Sequence, residues 1–171
     1  MHRMLFCYYT QQSPDERYES MTDNSVVKSP DTSRKNRVPP GQSLTKDWPV
    51  LHYGPVPSID TSVWTLSIFG LVDKEIKLDH QEFMSLPRAK VMSDIHCVTT
   101  WSRLDNLWEG VSTAAIKELV KISPDAGYVM VHGFGGFTTN LSTSDFFQED
   151  VLFALSHDGI PLAPEHGYPV R

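Results

Sequence analysis

The sequence predicts a mixed, sheet-rich α+β domain. Three observations predict it. Short runs of β-branched and aromatic residues, closed by glycine, proline, serine or aspartate, recur from residue 63 onward. Helical periodicity is confined to short stretches between those runs. There is no regular strand–helix alternation, and no Gly-x-Gly-x-x-Gly opens a helix after a strand, which argues against a doubly wound nucleotide fold.

The elements follow in order. Residues 63–72 read as a strand, with Trp64, Leu66 and Ile68 on one face and Phe69 and Leu71 available to the other. Asp79-His-Gln-Glu82 has capping-box spacing and opens a short helix, with Pro87 just past its end. Residues 90–95 read as a second strand that gives way to a polar, aromatic loop. Residues 112–122 are the clearest helix: Ser112 caps it, Ile116, Leu119 and Val120 form an apolar stripe, and Ser123-Pro124 stops it. Residues 128–131 read as a short buried strand. His132-Gly-Phe-Gly-Gly136 is a turn-rich link into a strand over 137–141. Ser142-Thr-Ser-Asp145 opens another helix, residues 151–156 form a strand, and Asp158-Gly159 suits a tight hairpin turn. Ahead of all this, residues 1–36 read as a disordered arm, because polar residues and proline dominate from Gln11 and no hydrophobic period survives. The folded domain is expected over 37–171.

A chain of 171 residues with 40% hydrophobic and 21% charged residues makes one globular domain with a real core. A formal charge of −6 without a Lys/Arg cluster argues against a nucleic-acid surface. No run reaches the roughly 18 apolar residues of a membrane span, and the start has neither signal-peptide architecture nor a twin-arginine pair. Cys7 and Cys97 lie far apart, so a disulfide is not expected and a reducing, cytoplasmic setting is.

Cys97 is the candidate of most interest. It sits where the strand over 90–95 meets the polar loop, a place that presents one thiolate to a soft metal or an electrophile. His96 beside it points to the opposite side if the backbone is extended. Zinc is disfavoured, since neither Cys-x-x-Cys nor His-Glu-x-x-His occurs. Nor does a Gly-x-Ser-x-Gly elbow occur.

Four segments carry more. Asp94-Ile-His-Cys-Val-Thr-Thr-Trp-Ser-Arg-Leu-Asp105 with Trp108-Glu-Gly-Val111 is one. Arg37-Val-Pro-Pro-Gly-Gln42 with Pro49-Val-Leu-His-Tyr-Gly-Pro-Val-Pro57 is another. Gly136-Phe-Thr-Thr-Asn-Leu141 and Pro164-Glu-His-Gly-Tyr-Pro-Val-Arg171 complete the set. In this order and at this spacing they resemble the sulfite oxidase-like, molybdopterin-dependent oxidoreductases over residues 37–171.

The resemblance implies a sulfite oxidase-type molybdopterin-binding domain, built on a mixed fold of several sheets. It implies molybdenum held by the dithiolene of molybdopterin, in phosphate or nucleotide form, and by one protein sulfur, here Cys97. By the same resemblance His52 and Tyr53 contact the cofactor, and His166 and Arg171 bind the pterin. The expected reaction is two-electron oxygen-atom transfer on a small oxoanion or a sulfoxide-type substrate, with an electron-transfer partner. Arg103 is the nearest sequence candidate for holding an oxoanion, and Trp101 and Trp108 for lining a pocket for oxidised methionine. Two departures stand out. Gly133 falls where some relatives carry a cofactor-contacting threonine. Relatives also continue past the position of Arg171 with a lysine- and glycine-containing segment, so a missing C-terminal part is expected. The alternative reading is a truncated, cofactor-free member that acts as a partner-binding module or is a non-functional fragment.

Overall fold

In the strand Thr65–Gly70 every second residue is apolar, and Leu66 and Ile68 are buried together with Trp64 just before it. A two-residue period of this kind needs a packed face opposite, and a second sheet and three short helices provide it. The computed structural model describes residues 4–10, 26–51 and 54–171. Its strands and helices are β1 (Met4–Thr10), β2 (Val26–Lys28), β3 (Ser43–Leu44), β4 (Thr65–Gly70), β5 (Ile76–Asp79), α1 (His80–Met84), β6 (Arg88–His96), β7 (Trp101–Ser112), α2 (Thr113–Val120), β8 (Tyr128–His132), β9 (Thr138–Ser142), α3 (Thr143–Phe146), β10 (Leu152–His157) and β11 (Ile160–Pro161).

One sheet has the order β5-β4-β1-β8-β9. The other has the order β11-β10-β7-β6-β2, with β3 added beside the first residues of β7. The main core joins Trp64, Leu66, Ile68 and Val129 of the first sheet to Val111 and Leu155 of the second, and Phe83, Ile116, Val120 and Phe146 from the helices close it. A smaller cluster of Trp108, Ala154 and Leu162, with Trp48 and Ile95 against it, forms beside the second sheet. The α+β, sheet-rich expectation is therefore met.

The local chemistry acts as expected at several ends. Asp79 accepts from the backbone of Gln81 and Glu82 while Glu82 reaches back to the Asp79 N–H, a complete capping box. Ser112 caps α2 and Ser142 caps α3. Asp158 and Gly159 both take positive φ, 49° and 79°, in the β10–β11 turn.

Two expectations are corrected. The polar loop after Cys97 is instead the longest strand of the described chain, the 12 residues of β7. Its buried positions include Ser102 and Asn106, each 0% exposed, and these polar residues break the apolar alternation by which strands are read. The arm expected to be disordered contains β1, β2 and a 3-10 turn at Pro30–Ser33. β1 pairs antiparallel with β4 and parallel with β8, and β2 pairs parallel with β6. The rest of that arm, residues 11–25 and 1–3, lies outside the described residues. No helix among the described residues is long and apolar enough to cross a membrane.

Candidate cofactor site

Cys97 opens the turn that joins β6 to β7. Its N–H donates to Trp101 O at 2.9 Å, and Thr100 N donates to Cys97 O at 3.0 Å. Thr100 takes φ +71, an uncommon conformation for a β-branched residue. This three-residue loop with a left-handed last position leaves Cys97 partly exposed. The Thr99 hydroxyl donates to the Cys97 sulfur at 3.1 Å. The thiol is held below its ordinary value first by that hydroxyl, then by the Thr99 backbone N–H and the charge of Arg171, against the opposing effect of burial. These contacts favour ionisation of a sulfur that solvent can reach.

Arg171 reaches this neighbourhood from the segment that follows β11. Its backbone exchanges hydrogen bonds with Ala154 of β10, at 2.7 and 3.0 Å, so the residue is laid against the second sheet. Gly167, at φ +102, turns the chain ahead of it, and a Cβ there would stand 3.2 Å from Arg171 Cβ. The Arg171 guanidinium lies 5.1 Å over the Trp48 ring, and its Nη1 donates to His166 O at 3.4 Å.

His166 stacks flat on Trp48, with ring centroids 3.9 Å apart and planes 11° from parallel. Burial, and secondarily Arg171, lower the His166 value from its ordinary 6.5 against the opposing pull of Glu165. Trp48 also meets Trp108 edge-on at 5.2 Å and His157 at 4.6 Å. It is the hub of this wall, and sequence reasoning missed it. The only signal available was its position three residues before the Leu51-His-Tyr53 run.

Arg103 is placed differently from the expectation. Its Nη2 is paired with Asp158 at 2.6 Å, its Nη1 meets Asn106 Oδ1 and His157 Nε2, and its Nε donates to Lys46 O at 3.0 Å. The guanidinium is a strut between β7 and the β10–β11 turn, with its donors already engaged. Asp158 in turn accepts from Leu107 N at 3.0 Å and is held below the usual carboxylate range, although burial opposes this. Trp108 is buried in the small cluster. Trp101 is half-buried, and its Nε1–H is buried with no hydrogen-bond partner among the described residues.

Thus His166 and Arg171 meet at Trp48, and the Arg171 charge acts on Cys97. His52 and Tyr53 lie outside the described residues. Two cavities flank Arg171. One, of about 460 Å³, is largely apolar and is lined by Trp64, Leu66, Phe83, Val131, Phe146 and Val170 among others; the second, of about 250 Å³, includes Ser93, Trp108 and Asp150. Arg171 lines both, whereas Cys97 lines neither. Asp31, Asp94 and His96 bring ligand atoms within 4.8 Å of one another. There, however, Arg37 takes both Asp94 oxygens, at 2.9 and 2.6 Å, and Ser102 takes His96 Nδ1 at 2.9 Å.

Comparison with known proteins supplies the family. Residues 53–171 match the model of the oxidoreductase molybdopterin binding domain. The chain is 46% identical over 145 residues to the uncharacterized oxidoreductase YuiH of Bacillus subtilis (strain 168), covering 84% of this chain and 73% of that protein. It is 26% identical over 135 residues to the putative protein-methionine-sulfoxide reductase subunit YedZ1 of Azospira oryzae, covering 77% of this chain and 51% of that protein. It is 27% identical over 154 residues to nitrate reductase [NADH] 1 of Oryza sativa subsp. japonica, of which it covers 17%. With a family model matched over most of the folded part and a relative of this identity, the chain belongs to the molybdopterin-binding oxidoreductase family, of sulfite oxidase-like type.

Proposed function

We propose that this chain performs two-electron oxygen-atom transfer on a small oxoanion or sulfoxide-type substrate, with Cys97 as the protein ligand of molybdenum. The observation that carries the reading is the Cys97 sulfur itself: partly exposed, at the head of a tight turn, and accepting a hydrogen bond from the Thr99 hydroxyl, which holds the thiol below its ordinary value. One soft sulfur under the influence of the Arg171 charge, with His166 stacked beside that arginine on Trp48, fits a molybdenum–pterin group, which needs one sulfur from the protein and cations or donors for its anionic end. The buried Trp101 N–H supports a polar group seated against the same turn.

When bound, the cofactor supplies the two-electron chemistry. The chain's own residues bind and orient. Cys97 gives its sulfur, and Thr99 steadies that sulfur by hydrogen bonding. Arg171 faces the anionic end, carried on the Trp48 ring. His166, pressed flat on Trp48, offers a ring of fixed orientation, and His52 and Tyr53 complete the expected contacts. The relatives named for methionine-sulfoxide and nitrate reduction support a substrate with oxygen on sulfur or nitrogen. Because Arg103 is spent on Asp158 and Asn106, oxoanion recognition is assigned to groups other than Arg103. An electron-transfer partner is part of the reading, and a reducing, cytoplasmic setting suits the partly exposed thiol.

The test is to measure molybdenum and pterin per chain after expression with cofactor supply, then to assay nitrate and methionine-sulfoxide reduction with a reduced viologen and sulfite oxidation with ferricyanide. Wild type is expected to carry molybdenum and turn over one of the three. Cys97→Ser is expected to lose more than the roughly 10–100-fold that removal of an outer-shell partner costs. Undiminished turnover in Cys97→Ser would refute the ligand role.

A further inference from the structure

The Arg37–Gln42 motif takes no part in the chemistry above, yet it is built against the Cys97 turn. Pro39 to Gln42 form a type II turn. Gln42 N donates to Pro39 O at 3.2 Å, Pro40 takes the second position, and Gly41 takes the third at φ +81. Nothing lies within 4 Å of a Cβ built on Gly41, so its backbone conformation alone calls for glycine.

Both sides of this turn are anchored. Upstream, Arg37 forks onto Asp94 of β6 and Asp105 of β7, at 2.6 and 2.7 Å through Nη2. Downstream, Ser43 N donates to Thr100 O at 3.0 Å and Thr45 N to Ser102 O at 2.9 Å, which lays β3 alongside β7. Between the anchors, the Gln42 side chain crosses to the hairpin.

The hydrogen bonds there have one consistent direction. The Ser102 hydroxyl donates to Gln42 Oε1 at 2.6 Å, and Gln42 Nε2 donates to Cys97 O at 3.3 Å. Ser102 has spent its one hydrogen, so it accepts from His96 Nδ1 at 2.9 Å. Reversing the Gln42 amide would set an oxygen against the Cys97 carbonyl and leave two acceptors facing each other. Ser102 is fully buried, so a lost partner there is not replaced by water. Backbone bonds from Cys97 N to Trp101 O, Thr100 N to Cys97 O and Ser43 N to Thr100 O close the turn, and the Gln42 amide adds a side-chain hold on the Cys97 carbonyl, while Val98, Thr99 and Thr100 are exposed.

We propose that Gln42 is the positioning residue of Cys97. The Arg37–Gln42 motif is a strap that delivers one amide between Ser102 and the Cys97 carbonyl, so that the sulfur is presented in a single orientation. The inference rests on the reading of Cys97 as the molybdenum ligand.

Three variants test it. Gln42→Ala removes the amide. Gln42→Glu keeps the acceptor for Ser102 but sets a carboxylate oxygen against the Cys97 carbonyl. Ser112→Ala removes the cap of α2 and serves as a destabilised control away from the strap. In cofactor-free protein, site-resolved alkylation of Cys97 by iodoacetamide is expected to change about fivefold in both Gln42 variants and to stay at the wild-type rate in the control. In loaded protein, the Gln42 variants are expected to release molybdenum at least about tenfold faster, with a shifted sulfur-to-molybdenum absorption. Gln42 variants that alkylate at the wild-type rate overturn the inference. Should Cys97→Ser keep its molybdenum, the ligand reading falls by itself, while the alkylation rates still decide whether Gln42 positions the turn.

Discussion

At Gly110 a single hydrogen atom separates a working strand from a collision. A Cβ built there would stand 2.0 Å from Phe153 O and 2.8 Å from Ala154 Cα, both backbone atoms that have no rotamer to retreat into. Gly110→Ala is expected to cost about 3 kcal/mol or more, since either β7 or β10 must shift. Urea unfolding of the variant checks this, and an unchanged midpoint would show that the two strands are further apart than described. Gly110 stood in a motif segment and was visible as such, but its reason was not, because the clash involves a strand more than forty residues away. The same limit explains the rest of the site. Cys97, His166 and Arg171 could be picked from local motif, and His166 and Arg171 meet at Trp48. Trp48 could not, since its importance lies in stacking on His166 and carrying Arg171, contacts that join distant parts of the chain. Arg103 was read as a candidate for holding an oxoanion, and its role as a strut was not legible because Asp158 is invisible from its own neighbourhood.

Helix ends and hairpin turns are local affairs, and they were readable for that reason: Asp79, Ser112 and Ser142 cap as their spacing predicts. Strands depend on partners, and β1, β2, β3, β5 and β7 went unread. β7 was hidden because its buried Ser102 and Asn106 are satisfied by hydrogen bonds rather than by apolar burial. Asn106 Nδ2 donates to Ser93 O and Arg103 O, at 3.1 and 2.7 Å. β1 was hidden because its pairing is with β4 and β8, far along the chain. Its place between β4 and β8 in the five-stranded sheet puts part of the N-terminal arm, expected to be disordered, inside the fold. Removing residues 1–10 leaves the facing edges of β4 and β8 without their partner strand. The melting temperature is expected to fall by about 10 °C or more, given that each kcal/mol is worth roughly 2–4 °C in a domain of this size. A calorimetric scan in which the shortened chain melts with the intact one would return the arm to the role of a passive tail.

Taken as a whole, the molecule is set up to lose stability in acid in two steps. Burial, helped by the arginines nearby and opposed by Asp79, Asp158 and Glu165, holds His80, His157 and His166 below their ordinary 6.5 in the folded state. The unfolded chain therefore binds more protons as pH falls through 6.5, so stability is full above that value and drains below it. The second step comes from Asp94 and Asp158. Burial disfavours their charge, but Arg37 and the Asp105 N–H for the one, and the Leu107 N–H and Arg103 for the other, hold both below their ordinary 3.8. Their contribution is present above 3.8 and goes as pH falls through the folded values. Urea midpoints measured at steps between about pH 7.5 and 3 should show the first decline between roughly 7 and 5. A flat profile across that interval would mean the three imidazoles titrate alike in both states.

The strand order of the five-stranded sheet also has a consequence in time. On the ribosome, β1 is made before either of the strands that flank it, and its parallel neighbour β8 is finished only when residue 132 has been added. At about 5–20 residues per second this is a wait on the order of ten seconds. Throughout it, a strand rich in aromatic and aliphatic residues has no β8 to lie against. The nascent chain is then a natural client for whatever holds young polypeptides apart, and its yield in a cell should depend on that escort more than the stability of the finished fold would suggest.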